Sequence, residues 1–226
     1  MKRLSAALFA SLALAVAAGC GEDEKKPKPA ADGPSATLTT ARDCKQVEAP
    51  APREDGGAKK PKGSLDPKRS YTVTLTTSCG DISIELDVKT SPKTAASFVS
   101  LARQGFLDNT VFHRIVPGFV IQGGDPTGSG SGGPGYSTVD RPPADTVYSK
   151  GVVAMAKTAQ EAPGTAGSQF YVVTGDSVQL PAEYALLGKV KAGQEVADRI
   201  GQLGDPQSGG AGTPLQPVVI EGTRVK

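Results

Sequence analysis

Side chains able to do covalent chemistry are few in this chain, and their arrangement does not favour it. Among 226 residues there are one histidine and three cysteines, so zinc sites and most catalytic triads are hard to build. The histidine, His113, lies between Phe112 and Arg114, where a hydrogen-bonded structural role is commoner than that of a general base. No serine lies in the glycine pattern of a nucleophile elbow, which argues against a serine hydrolase. Catalysis would have to use other groups.

Arg114 is the side chain best suited to act on a substrate without exchanging a proton. A guanidinium stays protonated at any working pH and can aim an N–H at a chosen atom. Phe119, five positions later, supplies apolar surface. The strand period of two places Gln169 and Tyr171 on one face, and Val120 and Gln122 share a face by the same rule. A surface salt bridge is the alternative for Arg114, and the presence of Phe119 and Gln169 weighs against it.

Two glycine motifs are similar to nucleotide-binding loops but lack the context that such loops need. Residues 128–133 read GSGSGG and match GxGxxG, yet a phosphate-binding turn must open a helix, and Pro134 and Gly135 follow here. We expect a mobile surface loop instead. In the sequence GKV at residues 188–190, a valine occupies the position that a phosphate loop gives to serine or threonine. Neither motif therefore predicts a nucleotide.

The elements that must position these residues are many short strands and few helices. With 28 glycines and 18 prolines, helix cannot dominate. Ser91 as N-cap and Pro92 at the first helical position begin an apolar stripe that ends before Gly105. Strands are predicted at residues 71–75, 82–86, 111–116, 119–122, 151–156, 169–174, 185–190 and 216–224, and a second helix at 194–200. About eight strands and two helices, without strand–helix alternation, predict a mainly β fold: a closed eight-stranded antiparallel barrel capped by two α-helices.

The first twenty residues predict an export signal. Lys2 and Arg3 precede an apolar run over residues 4–18, which is shorter than the roughly 20 residues that span a bilayer. The run ends in AAGC at residues 17–20, which resembles a bacterial lipobox. We therefore interpret 1–20 as a lipoprotein signal peptide, with Cys20 as the lipidated residue that anchors the protein to a membrane. An ordinary cleaved signal with an incidental cysteine is the alternative.

Residues 21–70 predict a disordered spacer rich in proline and charge. The segment has no aromatic residue, and only Leu38, Val47 and Leu65 are large aliphatics, so little apolar surface is available to offset chain entropy. Within it lies Cys44. Outside the cytoplasm we expect Cys44 to pair with Cys79, which lies in the turn between the first two predicted strands. Two unpaired thiols are the alternative.

The block at residues 112–126, FHRIVPGFVIQGGDP, closely resembles the signature of cyclophilin-type peptidyl-prolyl isomerases. The resemblance continues at residues 128–136, 151–156, 167–171 and 187–190, and covers nearly all of 71–226 in the family's order and spacing. It implies a cyclophilin-like barrel over 71–226. It also implies peptidyl-prolyl cis-trans isomerase activity that requires no metal or organic cofactor.

The resemblance also assigns roles to individual residues. Arg114 falls on the catalytic arginine. Substrate-binding positions are implied for Phe119, Val120, Gln122, Gly130, Ala156, Lys157, Gln169, Tyr171, Leu180 and Tyr184. Four positions depart from the family: Lys157 stands for asparagine, Tyr171 for phenylalanine, Gln179 for tryptophan and Tyr184 for histidine. Because the tryptophan position is associated with cyclosporin affinity, we expect weak drug binding with catalysis largely kept.

The expected partners are proline-containing unfolded or partly folded proteins outside the cytoplasm, and a membrane through the lipid on Cys20. Lysine and arginine number 25 against 23 aspartate and glutamate residues, so no basic surface for nucleic acid is predicted. We expect a monomer. The competing hypothesis is a proline-peptide-binding or holdase module that keeps the groove without turnover, because of the changes at Tyr171, Gln179 and Tyr184. Retention of Arg114 argues against it.

Overall fold

The computed structural model describes residues 44–226. The predicted signal peptide, Cys20 and the part of the predicted spacer before Cys44 lie outside the described residues. Within the described part of the chain, no helix is both long enough and apolar enough to cross a bilayer.

The described chain is mainly β. Its strands are β1 (Thr72–Thr77), β2 (Gly80–Leu86), β3 (Thr110–Val111), β4 (Arg114–Val116), β5 (Val120–Gly123), β6 (Thr138–Val139), β7 (Val152–Met155), β8 (Thr165–Ala166), β9 (Phe170–Val173), β10 (Leu186–Ala192) and β11 (Val219–Val225). Its helices are α1 (Pro92–Arg103) and α2 (Gln194–Gly201), and a short 3-10 segment spans Pro206–Ala211. Each predicted strand and helix overlaps an observed element, although the strand predicted at 111–116 is divided into β3 and β4, and β6, β8 and the 3-10 segment were not predicted.

Nine of the strands form one curled antiparallel sheet in the order β3-β11-β1-β2-β10-β7-β9-β5-β4. The expected closed eight-stranded barrel is therefore wrong in strand count and closure, because within residues 44–226 no ladder joins the edge strands β3 and β4. The single strand predicted at 111–116 is interrupted at Phe112 and His113, since β3 pairs with β11 and β4 pairs with β5. The outer edge of β4 is instead covered by a loop, where the Ile115 N–H donates to the Gly212 carbonyl at 2.7 Å.

The main core lies between the sheet and the two helices. Phe98 of α1 meets Phe170 of β9 edge to face, with ring centroids 5.4 Å apart, and Phe112 meets Phe170 at 6.1 Å. All three rings are buried. A smaller apolar cluster lies beneath β5, β7 and β9, and its members are Val120, Tyr148, Val152, Ala154, Tyr171, Val173 and Val178.

The start of α1 is stabilised by a residue that is distant in sequence. Pro92 occupies its first turn as predicted, but the Ser91 hydroxyl makes no capping bond and has no hydrogen-bond partner among the described residues. The Thr94 N–H donates instead to the buried carboxylate of Asp140 at 2.6 Å. The predicted cap is therefore replaced by a residue 46 positions from Thr94 in the chain.

Residues 44–70, here called the strap, form no helix or strand and lie against the domain. A disordered spacer was expected for this stretch because its composition is poor in apolar residues. Its order comes from other contacts: a disulfide joins the buried residues Cys44 and Cys79, as the sequence predicts. Backbone hydrogen bonds add to this, with Lys45 donating to Ser78 at 2.8 Å and Arg53 donating to Pro126 at 2.9 Å. Because these bonds use backbone groups, they need few apolar side chains.

Candidate functional site

A pocket of about 310 Å³ opens where β4, β5 and β9 meet the loop before β10. Strand register places the polar residues: Arg114 lies opposite Gln122, which lies opposite Tyr171 on the next strand. Residues directly opposite on neighbouring strands project from the same face of the sheet. The pocket is lined by Arg114, Phe119, Val120, Gln122, Ala156, Lys157, Tyr171, Leu180 and Tyr184. Arg114 and eight of the ten predicted substrate-binding residues thus come together in one place.

A row of hydrogen-bonded side chains runs along one side of this pocket. Arg114 Nη1 donates to Gln122 Oε1 at 3.4 Å, and Gln122 Nε2 donates to Gln169 Oε1 at 3.0 Å. Gln169 Nε2 then donates to the carbonyls of Gly130 and Gly132, each at 2.9 Å. Gln169 and Gly130, the two predicted residues that do not line the pocket, are therefore connected to Arg114 through Gln122.

The Arg114 guanidinium lines the pocket and is held there by two contacts. Its Nε donates to the Gly210 carbonyl at 3.0 Å, and its Cζ lies 5.9 Å from the centre of the Phe119 ring. Burial lowers the pKa of Arg114, but a guanidinium remains protonated at neutral pH. Since Nη1 makes one long bond and a guanidinium carries five N–H donors, Arg114 can also donate to a bound group.

Two tyrosines, Tyr171 and Tyr184, line the pocket, and Tyr148 packs against both of them. Tyr171 and Tyr184 meet edge to face with ring centroids 5.6 Å apart, and Tyr148 lies 6.4 Å from Tyr171. The Tyr148 hydroxyl donates to the Tyr184 carbonyl at 2.6 Å and accepts from the Tyr184 N–H at 3.0 Å. The Tyr171 hydroxyl is buried and has no hydrogen-bond partner within residues 44–226. Burial raises the pKa of both Tyr171 and Tyr148, that of Tyr148 to about 12, so both stay neutral.

Lys157 presents little charge to the pocket. Its side chain is only 3% exposed, and its Nζ lies 3.2 Å from Glu183 Oε2. The same ammonium donates to the Thr158 and Glu161 carbonyls at 3.1 and 3.2 Å. The cation is therefore neutralised locally, and apolar lining dominates the inner pocket.

A second pocket, of about 570 Å³, adjoins the first and shares Gln122, Ala156 and Lys157 with it. One wall is the glycine loop, here defined as residues 127–135, and Asp55 of the strap lies at its rim. No helix begins after this loop, which agrees with the prediction that it is not a phosphate-binding turn.

The glycine loop was expected to be mobile, but the buried carboxylate of Asp125 holds its first half. Asp125 accepts from the Thr127 N–H at 2.8 Å and from the Gly130 N–H at 2.6 Å. Burial alone would raise the pKa of Asp125, but hydrogen bonds from Thr127, Gly132 and Gly130 hold it below its ordinary value. Gly132 has to be glycine, because an added Cβ would lie 2.3 Å from Asp125 Oδ1.

His113 packs within the fold, but the hydrogen bonds expected of a structural histidine are absent among the described residues. Its ring is packed under the glycine loop, and neither ring nitrogen has a hydrogen-bond partner among residues 44–226. Burial, assisted by the Arg114 cation, lowers the pKa of His113 against the opposing effects of Asp125 and Gln169. A neutral imidazole at pH 7 follows.

The sequence analysis did not predict a role at the site for three residues: Tyr148, Asp125 and Asp55. Tyr148 and Asp55 lie in stretches of irregular structure, where no periodic pattern indicates their positions. A charged residue between an apolar strand and a glycine-rich loop is a signal that could have identified Asp125. Gln179, noted as a departure from the family, is exposed and does not line the pocket.

Comparison with known proteins gives a family for most of the described chain. Residues 72–225 match the model of the cyclophilin type peptidyl-prolyl cis-trans isomerase family. Peptidyl-prolyl cis-trans isomerase A of Mycobacterium tuberculosis is 39% identical over 174 residues, which cover 69% of this chain and 92% of that protein.

Other similar proteins are longer or have been solved as structures. A spliceosome-associated protein CWC27 homolog of Danio rerio is 40% identical over 166 residues, but the match covers only 34% of that protein. A crystal structure of a cyclophilin type peptidyl-prolyl cis-trans isomerase of Cryptosporidium parvum has 31% identity and a TM-score of 0.63, covering 70% of this chain and 98% of that one. A second structure of that protein, in the presence of the dipeptide Ala-Pro, has 32% identity and a TM-score of 0.61, and covers 69% of this chain and 98% of that chain.

Proposed function

The chain belongs to the cyclophilin-type peptidyl-prolyl cis-trans isomerase family, and from this premise we propose that it accelerates rotation about X-Pro bonds in proteins outside the cytoplasm. Uncatalysed rotation takes tens to hundreds of seconds at 25 °C. An isomerase with this activity assists the folding of proline-containing chains, and it needs no cofactor because no bond is broken.

The chemistry required is the twisting of an amide. The bond resists rotation by about 18–20 kcal/mol because the nitrogen lone pair is delocalised into the carbonyl. In the twisted state that lone pair is localised on nitrogen, so a donor aimed at it favours the transition state over either planar form. The Arg114 guanidinium is such a donor. Phe119 and Leu180 offer apolar contact to the proline ring while the preceding carbonyl swings.

One observation carries this proposal: a donor that is always charged lines a mainly apolar pocket of about 310 Å³. The row from Arg114 through Gln122 to Gln169 adds amide groups next to the same pocket. Those amides are placed to bind the backbone of a peptide whose proline occupies the pocket. A nucleophile or a titrating base is not needed.

A protease-coupled isomerisation assay on the full-length protein tests the proposal. Arg114→Ala should lower kcat/KM by about 100-fold or more, the effect of removing one transition-state donor. Arg103→Ala, which removes an exposed arginine on α1, should leave kcat/KM unchanged. Activity that Arg114→Ala does not reduce would contradict the mechanism. If wild type and Arg114→Ala were equally inactive but both bound Ala-Pro peptides, the binding-module alternative would be correct.

The proposal includes a lipid anchor on Cys20. The residues AAGC at 17–20 support it, and the Cys44–Cys79 disulfide is consistent with an oxidising compartment. Cys20→Ser should abolish labelling by a fatty-acid probe and release the protein from membranes. Cys20→Ala removes the same thiol and should have the same two effects. Membrane retention in both variants would contradict the anchor.

A further inference from the structure

The strap binds the glycine loop through side-chain and backbone bonds. Asp55 Oδ1 accepts from the Gly133 N–H at 2.7 Å. The Gly56 N–H donates to the Gly133 carbonyl at 2.9 Å, and the Ala58 N–H donates to the Pro134 carbonyl at 3.2 Å. An added Cβ on Gly135 would lie 3.2 Å from Gly56 Cα, so the two backbones are in close contact. The second half of the glycine loop is therefore held by the strap, whereas Asp125 holds the first half.

The glycine loop in turn holds the row of side chains that ends at Arg114. Gln169 Nε2 has both of its carbonyl acceptors, Gly130 and Gly132, in this loop. A shift of the loop would therefore release the Gln169 amide, whose Oε1 fixes Gln122. Gln122 Oε1 is the acceptor for Arg114 Nη1. A continuous series of contacts thus connects Asp55 to the guanidinium.

We propose that Asp55 is a positioning residue for the active site: by holding Gly133 it fixes the glycine loop, and through Gln169 and Gln122 it orients Arg114. This inference rests on the proposed isomerase function. Asp55 lies outside residues 72–225, which match the family model, so this chain's own N-terminal extension supplies the support.

The strap can perform this role because it is fixed at both ends. The Cys44–Cys79 disulfide joins its beginning to the turn between β1 and β2, and its end continues directly into β1. Between these points Lys59 and Gln104 exchange two hydrogen bonds, at 2.9 and 3.0 Å. Asp55 is therefore presented by a tethered segment, so its bond to Gly133 does not require ordering a free chain.

Two substitutions at Asp55 separate its hydrogen bond from its charge. Asp55→Ala removes the acceptor for the Gly133 N–H. Asp55→Asn keeps a side-chain oxygen that can accept the same bond and removes the charge. Glu54→Ala is the matched control, because Glu54 is the exposed neighbour and its carboxylate makes none of the bonds described above. Asp55 is exposed, so none of the three changes disturbs the core.

The test combines activity with two readouts on the full-length protein. Asp55→Ala should lower kcat/KM by about 2- to 10-fold, the range that corresponds to one net hydrogen bond, while Asp55→Asn and Glu54→Ala stay within about 2-fold of wild type. Amide hydrogen exchange at Gly133 should be faster in Asp55→Ala alone. The Gln169 side-chain amide signals in a nitrogen-15 NMR spectrum should shift in Asp55→Ala and return in Asp55→Asn, with the urea unfolding midpoint little changed.

The possible failures are distinguishable. An inactive wild type whose Gln169 signals still respond to Asp55→Ala would contradict the proposed function and support the positioning role. An active wild type whose kcat/KM and Gln169 signals are unaffected by Asp55→Ala would overturn the positioning role alone. Loss of activity in Asp55→Asn equal to that in Asp55→Ala would also overturn it, because the hydrogen bond would then not be what matters.

Discussion

Two neighbouring tyrosines, Tyr171 of the pocket lining and Tyr148 packed against it, allow the same chemical change to be made with opposite expected effects. Tyr171→Phe removes a buried hydroxyl that has no hydrogen-bond partner in the described chain. Tyr148→Phe removes a hydroxyl that makes two bonds to the Tyr184 backbone, at 2.6 and 3.0 Å. Since the rings lie 6.4 Å apart in the same apolar cluster, differences in surroundings are small. The hydrogen bonds therefore decide the outcome.

The magnitudes follow from the cost of a buried polar group. An unsatisfied buried hydroxyl costs about 1–3 kcal/mol, so Tyr171→Phe should raise the free energy of unfolding by about 1 kcal/mol, the lower end, because relaxation and water recover part of that cost. Tyr148→Phe leaves the Tyr184 N–H and carbonyl without their partner, and should lower the free energy of unfolding by about 1–3 kcal/mol. For a domain of this size, each kcal/mol corresponds to a shift in Tm of roughly 2–4 °C.

Urea unfolding followed by circular dichroism measures both variants, and it suits a chain without tryptophan. The isomerisation assay run alongside should show that Tyr171→Phe retains wild-type kcat/KM, because the hydroxyl that it removes is buried and makes no hydrogen bond in the described chain. A Tyr171→Phe protein less stable than wild type would refute the reasoning, since it would mean that the hydroxyl is bonded. A Tyr148→Phe protein of wild-type stability would refute the claim that the two hydrogen bonds of the Tyr148 hydroxyl stabilise the fold.

Three further predictions concern stability and use the same unfolding measurement. Replacing Cys44 and Cys79 by alanine should lower the free energy of unfolding by up to about 4 kcal/mol, the chain-entropy value for a separation of 35 residues. A double variant as stable as wild type would contradict a formed disulfide. Because burial lowers the folded-state pKa of His113, the unfolded state takes up the proton first. Stability should therefore be constant above about pH 7.5 and fall as pH decreases through about 6.5, and His113→Gln should remove that slope. Asp140→Ala should lower the free energy of unfolding by about 1–2 kcal/mol, and Ser91→Ala should lower it by less than about 0.5 kcal/mol. If Ser91→Ala were the more destabilising of the two, the serine would cap α1 after all.

Local patterns predicted most of the domain's elements. The alternation of apolar residues located β1 and β2, and the apolar stripe after Pro92 located α1, because such periodicities reflect which face of an element is buried. β6 and β8 were missed since each has two residues, too few to show a period. The closure of the sheet was predicted incorrectly, because element count alone does not determine which edge strands pair.

The strap shows where composition is insufficient. Few apolar residues predicted disorder for the whole of 21–70, and the stretch from Cys44 onward is nevertheless held by a disulfide and by backbone bonds to Ser78 and Gly133. Those partners are distant in sequence. Their availability depends on where the loops of the domain lie, which a local pattern does not reveal.

For the candidate site, the sequence by itself determined which residues are present: Arg114, its apolar neighbours, and the amides of Gln122 and Gln169, carried on strands whose period sets their faces. Only the tertiary structure decided how they are connected. Gln122 lies between Arg114 and Gln169 because β5 pairs with both β4 and β9, and Asp55 reaches the glycine loop because a disulfide returns the strap to the domain. Periodicity acts over a few residues, whereas these contacts join segments up to 78 positions apart, and only the folded chain brings them within hydrogen-bonding distance.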